Sequence, residues 1–255
     1  MHLYTVGAGA AQKAVTIDAP ATEGSASHVL RFWSQDTLGN VEAANTASVE
    51  LKTDLTAPVT VATGATDGAW YNAALAVHLV ATDEAAGSGV ASITSTLDGG
   101  APVVANAATT DVNIVVDAVG HTNDGLHTLI YQATDVAGNV EAVKSLTVNI
   151  DTVAPSPKAP SMSTARRTRT ATLKYSVADA LPNGGTATVV IKIKNRAGTV
   201  VKTLNVGTVT VNTAKTKSFS VPRTWKIGTY KFYVSATDTA LNAQTKVAWN
   251  KLIVK

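Results

Sequence analysis

The sequence predicts an all-β chain of tandem β-sandwich modules. Three observations carry this: an internal repeat of about 100 residues, the size of one sandwich; a strict two-residue alternation in the strand ahead of each repeat signature; and an abundance of Val, Thr and Ala with only 5% aromatics. Val and Thr are branched at Cβ, which suits the pleated surface of a strand.

The repeat comes first because it fixes the rest. Residues 28–42 read HVLRFWSQDTLGNVE and residues 127–141 read HTLIYQATDVAGNVE. The offset is 99 residues, from Asp36 to Asp135, and a weaker third copy, GTYKFYVSATDTALNAQ at 228–244, places Asp238 a further 103 residues on. Within the leading strand Leu129, Tyr131 and Ala133 share one face, and their equivalents are Leu30, Phe32 and Ser34, then Phe232, Val234 and Ala236. These triplets are expected in the core, because period two marks a half-buried strand. Asp-x-x-Gly-Asn then turns the chain, since Asp accepts nearby backbone N–H groups while Gly and Asn tolerate positive φ. In the third copy Leu241 stands where Gly stood, and the left-handed conformation is expected at Asn242 instead.

The middle module shows strand patterns at 58–62, 74–82, 90–97, 102–105, 111–117, 126–134 and 143–150, with Asp98-Gly99-Gly100 as a turn. Seven short strands at this spacing predict an immunoglobulin-like sandwich. The organisation expected is a partial module at 1–55, matching the second half of the next one, a complete module at 56–153 and a basic module at 154–255. DLTAP at 54–58 and DTVAP at 151–155 mark the boundaries, and they leave little room for a flexible linker. The half-module suggests that Met1 is not the natural start, because half a sandwich would bare its core and its edges.

On these residues the chain resembles known modules. Residues 56–153 resemble bacterial immunoglobulin-like repeats of large secreted or surface proteins, through Pro58, Trp70, Ala81-Thr82-Asp83, Ser88-Gly89-Val90, Leu97-Asp98-Gly99-Gly100, His127, Asp135, Gly138-Asn139 and Asp151. Residues 154–255 resemble the related module of the flagellar hook-capping protein, through Gly198, Trp225, Gly228, Tyr230 and Asp238. The resemblance implies an extracellular or cell-surface location and Trp70 and Trp225 in the sandwich cores. It also implies a non-catalytic role, as a spacer or adhesive stalk, or as an accessory module that holds a secreted hydrolase on its polymer.

Composition narrows the chemistry. There is no cysteine, which excludes disulfides and thiolate metal sites. No apolar run is long enough to span a membrane as a helix, and no signal-peptide pattern opens the chain. The five histidines, His2, His28, His78, His121 and His127, show no metal-binding spacing. His28 and His127 recur at one repeat position and are read as structural. No nucleophile elbow or phosphate loop is present, so no enzyme is expected.

Three binding candidates remain. Carboxylates recur near turns and junctions (Asp36, Asp54, Asp83, Glu84, Asp135, Glu141, Asp151). They read first as turn formers. The alternative is calcium held by Asp83, Glu84, Asp135 and Asp151, if the fold gathers them, since calcium needs six to eight oxygens; no other cofactor is expected. The second candidate follows from charge. Residues 1–153 carry 4 Lys and Arg against 16 Asp and Glu, net −12, whereas residues 154–255 carry 17 against 2, net +15. Arg166, Arg167 and Arg169 cluster, and Lys192, Lys194 and Arg196 alternate along one strand. They suit an anionic cell-wall polymer; nucleic acid is not expected, for want of stacking aromatics or a known motif. The third candidate is a carbohydrate platform at Trp33 or Trp249. Neighbouring modules of a longer chain are the remaining expected partners.

Overall fold

The computed structural model describes residues 16–255, and every described element of regular structure is a strand. The expectation about Met1, and His2, lie outside the described residues.

The middle module pairs a three-stranded sheet with a five-stranded one. Its strands are β3 (Val59–Thr63), β4 (Trp70–Tyr71), β5 (Leu75–Thr82), β6 (Val90–Leu97), β7 (Val103–Ala105), β8 (Thr109–Ile114), β9 (Gly125–Asp135) and β10 (Lys144–Ile150), preceded in the chain by β1 (Gly24–Phe32) and β2 (Asn45–Thr53). The sheets are β3-β5-β8 and β4-β10-β9-β6-β7. The last module holds β11 (Ser156–Lys158), β12 (Ser163–Ala165), β13 (Thr170–Ala178), β14 (Thr186–Lys194), β15 (Val200–Thr210), β16 (Ala214–Ser220), β17 (Gly228–Asp238) and β18 (Ala248–Val254). Its sheets are β11-β13-β16 and β12-β18-β17-β14-β15, the same wiring. In each module the opening strand breaks in two. One half pairs antiparallel in the small sheet, while the other crosses over and runs parallel to the last strand of the large sheet. Gly64 and Gly68, both at positive φ, make the crossing in the middle module. This is an immunoglobulin-like sandwich, twice over.

Each sandwich has its own core. One gathers Val77, Leu79, Ile93, Ile114, Leu129, Tyr131, Ala133, Val148 and Ile150. The other gathers Leu173, Tyr175, Ile191, Ile193, Phe232, Val234, Ala236 and Leu252, with Trp225 stacked on Tyr230 at 4.7 Å between ring centroids. Trp225 is therefore a core residue, whereas Trp70 is only half-buried on the short edge strand β4. The burial of the alternating triplets in β9 and β17 follows the sequence pattern.

The first triplet departs from it. Phe32 is 46% exposed and Ser34 is exposed, while Leu30 and Trp33 are both half-buried. The physical reason is that β1 and β2 form a two-stranded sheet by themselves, and no second sheet covers either face among the described residues. Trp33, a carbohydrate-platform candidate, is thus half-buried rather than fully exposed.

The repeat signature folds into the same closed turn three times. The Asp36, Asp135 and Asp238 carboxylates accept the backbone N–H of Asn40, Asn139 and Asn242, and each aspartate N–H donates to that asparagine's carbonyl. The residue six positions after each Asp returns to the leading strand, with Glu42 accepting from Ser34 N–H, Glu141 from Ala133 N–H and Gln244 from Ala236 N–H. The third turn corrects an expectation: Leu241, not Asn242, carries the left-handed conformation, at φ 74°, where Gly39 and Gly138 have 91° and 97°. Asn242 cannot take that role, because its backbone and side chain are both committed to Asp238. Leu241 is exposed and loses little contact if truncated. Relief of about 1–2 kcal/mol of left-handed strain exceeds the roughly 0.5–1 kcal/mol of chain entropy that glycine adds. Leu241→Gly is thus expected to raise the stability of the last module in denaturant titration, against the usual trend for glycine.

Candidate functional site at the module junctions

The segments that join modules are short and fastened on both sides. Five residues separate β2 from β3, and five separate β10 from β11. In the first junction Glu23, just ahead of β1, accepts hydrogen bonds from Leu55 N–H and Thr56 Oγ1. In the second, Asp124, just ahead of β9, accepts from Thr152 N–H and Thr152 Oγ1. The following module grips the same segments. Asn139 Nδ2 donates to the carbonyl of Asp54 at 3.0 Å, and Asn242 Nδ2 donates to the carbonyl of Asp151 at 2.7 Å. The repeat signature therefore does two things: its Asp closes a turn, and its Asn holds the linker. Pro58 and Pro155, both buried, fix the backbone on the far side of each linker.

Carboxylates converge at both junctions. Asp54, Asp83 and Asp135 meet at the first, and Asp151, Asp179 and Asp238 at the second; within each group one oxygen from each residue lies within 4.8 Å of the others. The positions correspond: one residue from the linker, one from just beyond β5 or β13, one from the end of β9 or β17. Of the calcium candidates read from sequence, Asp83 and Asp135 share the first junction. Glu84 lies beside them in a group with Glu23 and Asp54. Asp151 is not with them; it lies at the other end of β9, since Ile150 pairs with Gly125 there and Asp135 closes the opposite end. Asp179 is the residue that sequence reading missed. The available signal was composition, because Asp179 and Asp238 are the only two acids in a module with 17 Lys and Arg.

The two junctions differ in how far they satisfy their charge. At the first, Asp83 accepts from Glu84 N–H and Gly89 N–H, Asp54 from Ser88 N–H and Thr56 N–H, and Asp135 from its turn. Glu84 alone has two oxygens without a partner. Its own nearby backbone N–H pulls its pKa down, but burial and the charges of Asp83 and Asp54 outweigh that and raise it to about 7. At the second, Asp151 Oδ2 and both oxygens of Asp179 have no partner. Burial, reinforced by the charges of Asp238, Asp179 and Asp124, raises Asp151 to about 7 against the lowering effect of Val153 N–H. Burial and the charge of Asp238 raise Asp179 to about 6.

No protein-family model matches the chain, and no curated protein matches it. Among solved structures the chain is similar to the fibronectin(III)-like modules of Clostridium thermocellum CbhA. That match has a TM-score of 0.41 and 13% identity, and it covers 77% of this chain and 94% of that one. It is also similar to a tetra-tandem repeat in the extending region of a large adhesion protein, with a TM-score of 0.32 and 20% identity over 90% of this chain. The match spans 57% of that structure.

The basic candidates lie on the last module. Lys192, Lys194, Lys231 and Lys251 occupy the outer face of the large sheet, since their neighbours Ile191, Ile193, Phe232 and Leu252 are buried. Tyr233 and Trp249 share that face, with Lys194 Nζ 4.8 Å from the Tyr233 ring centre and Lys231 Nζ 4.2 Å from that of Trp249. Among the described residues none of these lysines forms a salt bridge. Arg196, expected on the same strand, lies instead beyond its end, exposed in the β14–β15 turn that Asn195 and Gly198 close. Arg166, Arg167 and Arg169, all exposed, lie in the loop after β12, where Arg167 N–H donates to the Lys255 carbonyl; β18 and β17 separate β12 from β14.

The repeated histidine position is structural in the middle module. His127 Nδ1 lies 2.7 Å from Asp98 Oδ2 and Nε2 lies 2.8 Å from the Asn123 carbonyl. Two acceptors favour the doubly protonated ring. Burial opposes the charge, but Asp98 and the Asn123 carbonyl outweigh it, and the pKa is raised. A raised histidine pKa stabilises the fold fully below the unfolded value near 6.5, and that stability is lost as pH rises through the folded value. The melting temperature of the middle module is therefore expected to fall as pH rises above about 6.5, and in His127→Gln this slope should flatten.

Proposed function

We propose that the chain is a non-catalytic spacer segment of an extracellular or cell-surface protein, whose modules are held at fixed angles by stapled linkers. One observation carries this reading. Each linker is bonded to a carboxylate of the module before it and to the signature asparagine of the module after it, in the same manner at both junctions. Conformational entropy favours loose linkers unless such contacts oppose it. A repeated device that fixes them serves length and direction rather than turnover. Limited digestion with thermolysin tests it, because Leu55 and Val153 offer aliphatic cleavage points within the linkers. The linkers of the wild-type chain should survive, and Asn139→Ala with Asn242→Ala should open them first. Early cleavage of both linkers in the wild type would end the fixed-spacer reading.

A second reading rests on the lysine and aromatic face of the last module, which favours an anionic polysaccharide of the cell wall and would let the segment anchor as well as extend. Rings give a sugar its stacking surface and lysines meet its negative charge. Co-sedimentation with purified cell wall should fall steeply with salt and weaken in Lys192→Gln with Lys231→Gln. Binding that ignores salt and both substitutions would remove this face from consideration.

A further inference from the structure

The second junction holds three buried aspartates with nothing to balance them. Asp151 is fully buried, and Asp179 and Asp238 are 7% and 4% exposed. Asp238 is satisfied by the Asn242 backbone and side chain, and Asp151 Oδ1 by Val153 N–H. Asp151 Oδ2 and both Asp179 oxygens accept from nothing, though the cluster places their carboxylates within 4.8 Å of Asp238. No salt bridge reaches the group among the described residues. Buried carboxylates left this way cost several kcal/mol each unless protonated or matched by a cation.

The composition of the module sharpens the point. Seventeen Lys and Arg lie in residues 154–255, yet none pairs with the module's two acids, which both face the linker aspartate instead. A sequence that needed only a neutral joint has Asn at its disposal, as Asn242 one turn away shows. We infer that Asp151, Asp179 and Asp238 form a binding site for a hard divalent cation, calcium by ligand type, at the joint between the middle and last modules. Two oxygens bound to one calcium at about 2.4 Å lie no more than about 4.8 Å apart, and one carboxylate oxygen from each of the three aspartates lies within 4.8 Å of the other two. The donor set is all carboxylate oxygen, with neither His nor Cys, which disfavours zinc and copper. The three carboxylates come from the linker, from just beyond β13 and from the end of β17. A bound cation would therefore tie the linker to both sheets of the last module. The inference rests on these buried carboxylates alone and stands whether or not the segment is a spacer.

The site corresponds in position to the first junction, but the two are not equal. Asp54 and Asp83 spend their oxygens on backbone N–H groups, so the second junction has the larger unmet demand.

Calorimetric titration of the full chain with calcium chloride, after chelator removal and at neutral pH, tests the inference together with thermal melting. The wild type should show saturable binding at or below about 1 mM, the range of extracellular calcium modules, and calcium should raise the melting transition of the last module. Asp179→Asn should weaken binding at least about tenfold, the factor expected of a lost charged ligand. It should also melt higher than the wild type in chelator, because an amide relieves the repulsion; a purely structural Asp179 would give the opposite sign. Asp83→Asn, at the first junction, should leave this binding in place. The inference is overturned if the wild type shows neither heat nor a melting shift up to about 10 mM calcium, well above that range. It is equally overturned if binding survives Asp179→Asn or is lost only with Asp83→Asn.

Discussion

Glu141→Ala is expected to remove the middle module from the folded population at temperatures where the last module still holds. Glu141 is buried and accepts four hydrogen bonds: from Thr60 N–H at 2.7 Å, Thr60 Oγ1 at 2.6 Å, Ala133 N–H at 3.1 Å and Lys144 Nζ at 2.6 Å. These tie β3 in one sheet to β9 in the other. Burial opposes the charge, but Lys144 and the Thr60 and Ala133 donors outweigh it, and its pKa is lowered. Lys144 is the only Lys or Arg between residues 56 and 153. Truncation leaves Thr60 N–H, Thr60 Oγ1 and Ala133 N–H without their acceptor, at a cost of about 1–3 kcal/mol each, while the partly exposed Lys144 keeps the Thr60 carbonyl. For a module of this size the melting temperature should drop by more than about 10 °C. Glu141→Gln, which keeps an acceptor but not the charge, should fall between. A lowered carboxylate pKa also gives the pH sense: the contribution is present above the unfolded value and is lost as pH falls through the folded one.

Phe232→Ala is the corresponding experiment in the last module. Phe232 is fully buried at the centre of β17, packed with Ile191, Ile193, Val234 and Leu252. Loss of the ring leaves a cavity and should cost about 3–5 kcal/mol. Because the two cores share no residue, calorimetry should show the last-module transition fall while the middle one stays within a degree or two of its wild-type position. Coincident loss of both transitions would mean that the modules unfold as one unit.

The strands were legible in the sequence because the alternation in β9 and β17 is uninterrupted and the repeat gave the module length. The turn was legible in part. Asp-x-x-Gly-Asn announces a turn, but the second duty of Asn139 and Asn242, holding the linker carbonyl, is a long-range contact with no local signature. Leu241 shows how a motif keeps its backbone when a residue does not suit it, since Asp238 and Asn242 define the turn between them. The first triplet misled for the reverse reason: alternation states which face is apolar, not whether a second sheet covers it, and Phe32 has none over it. The carboxylate grouping was hardest to foresee. Asp83 and Asp151 are separated by the length of β9, while Asp151, Asp179 and Asp238 converge only because the linker folds back between the ends of two strands.

The fixed joint is the central claim, and pulsed electron spin resonance between two labels tests it most directly. The chain has no cysteine, so labels at Val104→Cys and Val200→Cys, on exposed positions of β7 and β15, report only the relation of the two modules. A single narrow distance distribution in the wild type, broadened by Asn242→Ala, is the result expected. A broad distribution already present in the wild type would contradict the account.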